Sequence, residues 1–136
     1  MDADRIAYYG FSLGGTYGPV FTALEDRFKA SVLISGGTTY RLPEEHRPVN
    51  FAPHVTVPTL MIGGQNDPQA PIEAYQRPLL ELLGTPPGDK KLAVFDGAHA
   101  PTDWNSTVSE ILAWLDRYLG PVQSAGKVDG PGSPVD

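Results

Sequence analysis

The chain contains no cysteine, which excludes disulfides, thiolate nucleophiles and sulfur-ligated metals together. It is also short of positive charge, with 10 Lys and Arg against 16 Asp and Glu and a net charge of -6. Lys90 and Lys91 form its one adjacent basic pair. Without a basic patch, neither phosphate neutralisation nor attraction to anionic headgroups is available, so no nucleic-acid partner and no membrane partner are expected. No run approaches the roughly 18 apolar residues of a membrane span. Met1 to Arg5 show no charged-then-apolar leader, and the reading is of a soluble, cytoplasmic protein. What the chain does have is 136 residues, 40% of them hydrophobic, enough for one domain with a real core.

Four short apolar runs punctuate the chain: Ile6–Tyr9, Ser31–Ile34, Thr59–Ile62 and Leu92–Phe95. The first two read as strands buried on both faces, as in a parallel sheet. Between them, Tyr17, Val20, Phe21, Leu24 and Phe28 recur at helical spacing, which predicts a crossover helix from Leu13 to Phe28. Residues 36–57 hold Gly, Pro and two histidines with little periodicity, and predict a long loop that includes a short helix. Pro71 to Leu83 reads as helical, closed by Gly84 as a C-terminal cap and kinked or split at Pro78. Trp104, Val108, Ile111, Leu112, Leu115 and Leu119 predict an amphipathic helix over 104–119. Beyond it the chain turns rich in Gly and Pro, so 1–119 reads as the folded domain and 120–136 as a flexible tail. The sum is an α/β fold with a four-stranded parallel sheet flanked by helices.

The most informative stretch is Gly10-Phe11-Ser12-Leu13-Gly14, directly after the first strand and directly before the first helix. A turn that sharp forces Ser12 into a strained backbone conformation, so Gly10 and Gly14, two before and two after it, are expected to be nearly free of side chain for steric reasons. The turn lifts the Ser12 Oγ clear of the sheet and leaves the N–H of Leu13 free to serve an oxyanion hole.

Two further residues follow strand ends in chain order. Asp67 comes after the third strand, in Gly63-Gly64-Gln65-Asn66-Asp67-Pro68, and His99 after the fourth, in Phe95-Asp96-Gly97-Ala98-His99. Loops at the carboxyl ends of parallel strands converge on one rim, so Ser12, Asp67 and His99 are expected to meet there. His99 would take the Ser12 proton and Asp67 would hold the imidazole tautomer. Asp96 and Asp103 flank His99 but sit on its own short loop, where a side chain rarely reaches the ring. Tyr17 and Trp104 are read as core or pocket wall. His46 and His54, near Glu44 and Glu45, lack a ligand spacing, so no metal and no cofactor is expected.

With Arg5-Ile6-Ala7-Tyr8-Tyr9-Gly10-Phe11-Ser12-Leu13-Gly14-Gly15, Gly64-Gln65-Asn66-Asp67 and Asp96-Gly97-Ala98-His99, the chain resembles the α/β-hydrolase family, in its dienelactone-hydrolase-like and prolyl-oligopeptidase-like branch. The resemblance covers about residues 2–119. It implies Ser12 as nucleophile, Asp67 as triad acid, His99 as triad base and the Leu13 amide as one oxyanion donor. Family members carry roughly a hundred or more residues before the nucleophile strand, including a loop that gives the second donor; here that strand starts near residue 5. The resemblance is therefore to the C-terminal half of the fold. The second donor would come from Gly15, the Tyr17 hydroxyl or a neighbouring subunit.

This reading implies a serine carboxylesterase acting on small-molecule esters of short acyl chains. An apolar first strand without earlier neighbours implies a homodimer or higher homo-oligomer covering the sheet edge or face. The alternative is a catalytically silent hydrolase remnant that acts as an oligomerising or binding module, and a further one is a domain piece of a larger enzyme.

Overall fold

The computed structural model describes residues 4–38 and 43–121. Four parallel strands, β1 (Ile6–Phe11), β2 (Phe28–Ile34), β3 (Thr59–Gly64) and β4 (Lys90–Phe95), lie side by side in chain order. Successive parallel neighbours require crossovers. Helix α1 (Leu13–Leu24) joins β1 to β2, and a string of short turns with helix α2 (Pro48–Phe51) leads into β3. Helix α3 (Arg77–Leu82) precedes β4, and helix α4 (Trp104–Leu119) closes the fold.

Alternation along the strands separates two cores. Val32, Ile34, Leu60 and Ile62 point to one face, where Ile111 and Trp114 of α4 cover them. Leu33 and Met61 point to the other and pack with Ala52, Val55, Val57, Leu79 and Leu83. β2 is buried from Ala30 onward, and β3 throughout, as continuous apolar runs demand. β1 differs from the two-faced burial expected of it. It is the edge strand of the described sheet and only partly covered, with Tyr9 57% exposed.

The first helix is shorter than its periodicity predicts. It ends at Leu24, and Phe28 opens β2 instead. The Glu25 carboxylate takes hydrogen bonds from the Arg27 backbone N–H and guanidinium, building a tight turn that stops the helix. Its large apolar residues do not form the packed face either: Phe21 and Leu24 are exposed, while Gly15, Gly18, Pro19 and Thr22 are buried. The helix approaches the sheet on small residues, and a Cβ on Gly18 would run into the Leu33 side chain. In α4, likewise, Trp104, Val108 and Leu112 face outward and Thr107, Ile111 and Trp114 inward.

Around Pro78 the helix changes winding without breaking: a π-helical turn over Ile72–Gln76 runs directly into α3, with Arg77 N–H donating to Ile72 O and Pro78 at the start of the α-helical part. Gly84 is not the cap expected of it. Leu83 ends α3 in extended backbone, and the Gly84 N–H donates instead to Ala52 O at 3.0 Å. Of the 120–136 tail, Gly120 and Pro121 are described: both carbonyls accept from Arg5 Nη2, at 2.6 and 2.9 Å. The remainder lies outside the described residues. Among the described residues, no helix is long and apolar enough to cross a membrane.

Candidate active site

Ser12 sits between the last residue of β1 and the first of α1 with φ 54° and ψ -111°, a combination that L side chains rarely adopt. Its N–H donates to Ile34 O at 2.8 Å and its carbonyl accepts the first helical N–H, from Thr16, at 2.9 Å. The turn closes because Gly10 lies directly against the Gly14 backbone, in space a Cβ would fill. A Cβ on Gly14, by contrast, would have room, meeting Tyr8 Oη at 3.9 Å. The second steric constraint belongs to Gly15 and Gly36, whose backbones touch where α1 crosses the end of β2. Tyr8 Oη secures the turn by donating to Gly14 O at 2.8 Å.

Ser12, Asp67 and His99 come together as expected from the convergence of strand ends. His99 Nε2 is 2.7 Å from Ser12 Oγ, and His99 Nδ1 is 2.9 Å from Asp67 Oδ2. The second oxygen of Asp67 accepts the backbone N–H groups of Gln69 and Ala70, at 2.8 and 3.0 Å. The Asp67 side chain is wholly buried, so the carboxylate's orientation is fixed on both oxygens. Of the two alternative acids, Asp103 spends its carboxylate on the cap of α4, and the carboxylate that meets the His99 ring is that of Asp67, not Asp96.

Leu13 opens α1, ahead of the first intrahelical donor, so helix geometry leaves its N–H to an external acceptor. Its side chain is 62% exposed beside Ser12. Tyr17 is half-buried on α1, and Trp104 is exposed at the first position of α4. The ring that does pack on the histidine is Phe11, with centroids 5.6 Å apart, and 42% of that residue remains exposed.

Three supporting residues were not read from the sequence. Ser35, at the end of β2, donates its hydroxyl to His99 O at 2.5 Å. Gln76 is fully buried under the acid loop and donates from Nε2 to Ala70 O at 2.7 Å, a contact that needs Gly63 to carry no side chain. Gly64 admits the Ala98 carbonyl just before His99. The Gly63-Gly64 pair and the Ser35-Gly36-Gly37 strand end were visible as punctuation; what they touch was not.

A family model described as PET hydrolase-like matches residues 1–123. The chain belongs to this family. Cutinase Est2 of Thermobifida alba is 30% identical over 122 residues, a match that covers 88% of this chain and 37% of the cutinase. Among solved structures, a Klebsiella pneumoniae protein assigned as a dienelactone hydrolase superposes with a TM-score of 0.71 at 22% identity, over 86% of this chain and 54% of that one. A cold-adapted esterase from an Arctic intertidal metagenomic library gives a TM-score of 0.61 at 26% identity, over 82% and 48%. The fold is accordingly that of the α/β-hydrolases, and the PET hydrolase-like chain spans about two fifths of its cutinase relative and about half of each structural neighbour.

Proposed function

We propose that this PET hydrolase-like chain carries the catalytic triad of a serine carboxylesterase for short-chain acyl esters. The observation that carries the reading is the unbroken hydrogen-bonded line from Ser12 Oγ through His99 to the buried Asp67 carboxylate. That its relatives include cutinases and an esterase supports the same chemistry.

In this mechanism Ser12 Oγ attacks the acyl carbon while its proton passes to His99 Nε2. The Leu13 N–H donates to the oxyanion of the tetrahedral intermediate, helped by the positive end of α1. Collapse breaks the ester C–O bond, and the alcohol leaves with the proton from Nε2. Water then attacks the acyl-Ser12, giving its proton to Nε2, and the second collapse releases a carboxylic acid and restores the Ser12 hydroxyl. The Asp67 carboxylate accepts from Nδ1–H, fixing Nδ1 as the protonated ring nitrogen and balancing the imidazolium. Phe11 and Leu13 flank Ser12 with exposed apolar surface that an acyl chain could meet.

Two further parts of the reading concern context. The edge of β1, with Tyr9 and Phe11 exposed along it, favours self-association; a monodisperse monomer by light scattering at micromolar concentration would remove that part. The absence of cysteine suits a cytoplasmic setting.

Hydrolysis of p-nitrophenyl acetate, butyrate and octanoate by the purified chain, beside Ser12→Ala, tests the proposal. Turnover is expected to fall with acyl length and to vanish in Ser12→Ala, with a fluorophosphonate labelling Ser12 alone. Equal rates in the two proteins and no label would leave the silent binding module instead.

A further inference from the structure

Ser35, the residue just past β2, joins all three parts of the site. Its N–H donates to Ile62 O of β3, the strand that leads to Asp67, at 2.7 Å. The preceding carbonyl, Ile34 O, accepts the N–H of Ser12 at 2.8 Å. Its own hydroxyl donates to the carbonyl of His99 at 2.5 Å. One peptide unit and its side chain thus connect the nucleophile turn, the strand carrying the acid and the loop carrying the base.

Two features separate this serine from an ordinary polar residue at a strand end. The residue is 2% exposed, and the partner its hydroxyl takes is the His99 carbonyl. Its φ is 51°, in the left-handed region that favours glycine, and glycine follows it at 36 and 37. Conformation alone would be better served by glycine here. Ser35 supplies what glycine lacks, a hydroxyl that reaches the histidine's own backbone.

We propose that Ser35 is a positioning residue: its hydroxyl holds the His99 backbone against the end of β2 and so sets the separation between Nε2 and Ser12 Oγ. His99 is otherwise carried on a loop over residues 96–103 that closes on itself through Thr102 N and Thr102 Oγ1 to Asp96 O, at 2.9 and 3.0 Å, and is tied to the acid loop by Asn66 N–H donating to Gly97 O at 2.9 Å; these bonds do not reach the nucleophile turn. The link through Ser35 is the one that refers the base to β2, where Ser12 is also anchored. The inference rests on the esterase reading above for its kinetic consequence, and on geometry alone for its structural one.

Ser35→Gly and Ser35→Ala test it together. Glycine removes the hydroxyl while suiting the positive φ, so it is expected to fold with Tm at or near that of the wild type; alanine removes the hydroxyl and keeps the backbone cost. Both are expected to lose about 10- to 100-fold in kcat for p-nitrophenyl acetate, since displacements near 1 Å cost on that order. KM is expected to stay within about twofold, and the rate of fluorophosphonate labelling at Ser12 to fall with kcat. By NMR, the downfield ring N–H shared by His99 and Asp67 should broaden or vanish in both variants. A Ser35→Gly protein with wild-type kcat, labelling rate and ring N–H signal would overturn the inference, as would losses confined to the less stable Ser35→Ala. If the wild type itself were inactive towards esters the esterase reading would fall, and the ring signal of His99 would still decide the role of Ser35.

Discussion

Gly64, the last residue of β3, lies so close to the carbonyl of Ala98 that a Cβ on the glycine would occupy the oxygen's place. The two loops of the site are therefore stacked backbone on backbone, with Asp67 three residues beyond one partner and His99 one residue beyond the other. Gly64→Ala must push the histidine loop away, because the obstacle is main chain and not a flexible side-chain end. Loss of about 100-fold in kcat is expected, with far-ultraviolet circular dichroism unchanged. Near-wild-type activity would mean that the two loops can separate without moving the imidazole from Ser12.

Asp67 divides its work between its two oxygens, and Asp67→Asn separates the parts. The amide oxygen can keep the bonds from Gln69 and Ala70 N–H, while the amide nitrogen can only donate towards His99 Nδ1. That forces the proton onto Nε2, where it can no longer accept one from Ser12. A drop of roughly 10³- to 10⁴-fold in kcat is expected, with little change in Tm. Ester hydrolysis and thermal melts on the same preparation check it.

Much of this candidate site is legible in the sequence because Ser12, Asp67 and His99 follow strand ends, and parallel strands deliver such loops to one rim whatever the details of packing. Ser12, Asp67 and His99 needed no knowledge of their neighbours. Ser35 and Gln76 did: a serine before two glycines and a glutamine in a helical stretch look like surface punctuation until the residues they bond, 64 and 6 positions away, are in place. The end of α1 was misread for a related reason. Phe28 continues the helical spacing of Phe21 and Leu24, but Glu25 and Arg27 form a side-chain-closed turn, and an aromatic ring serves equally well in the strand that follows. Burial on both faces, expected of the first two strands, holds for β2 and fails for β1, since an apolar run does not reveal how many neighbours a strand has.

The two elbow glycines make a contrasting pair. Gly10→Ala drives a Cβ into the Gly14 backbone, which must open the turn at Ser12. Overpacking of this kind costs about 1–3 kcal/mol, and activity should fall with it. Gly14→Ala meets only Tyr8 Oη at ordinary contact distance and replaces a helical glycine, so a gain of roughly 0.5–1 kcal/mol is expected. Denaturant titrations of the two variants should therefore move the midpoint in opposite directions. A destabilised Gly14→Ala would show that the Tyr8 bond to Gly14 O leaves less room than its distance suggests.

Asp103, four residues after His99, tests the division between catalysis and stability from the other side. Its carboxylate accepts the Ser106 N–H at 3.1 Å as the cap of α4, and hydrogen bonding from the Ser106 side chain first, then from that N–H, holds its pKa below the ordinary aspartate value. A depressed folded-state pKa contributes stability that is present above the unfolded value and is lost as pH falls through the folded one. Asp103→Ala is accordingly expected to lower Tm at neutral pH. The gap from wild type should narrow as pH drops below about 4, the unfolded aspartate value. At 25 °C and neutral pH, kcat should stay within about twofold of wild type, because the nearby acid that serves His99 is Asp67 and a helix cap outside the site moves rates little. Thermal melts across pH 3 to 8, set beside ester hydrolysis, check both halves. A Tm gap independent of pH would mean that the capping oxygen acts equally well when protonated, and a collapse of kcat would make Asp103 a rival to Asp67.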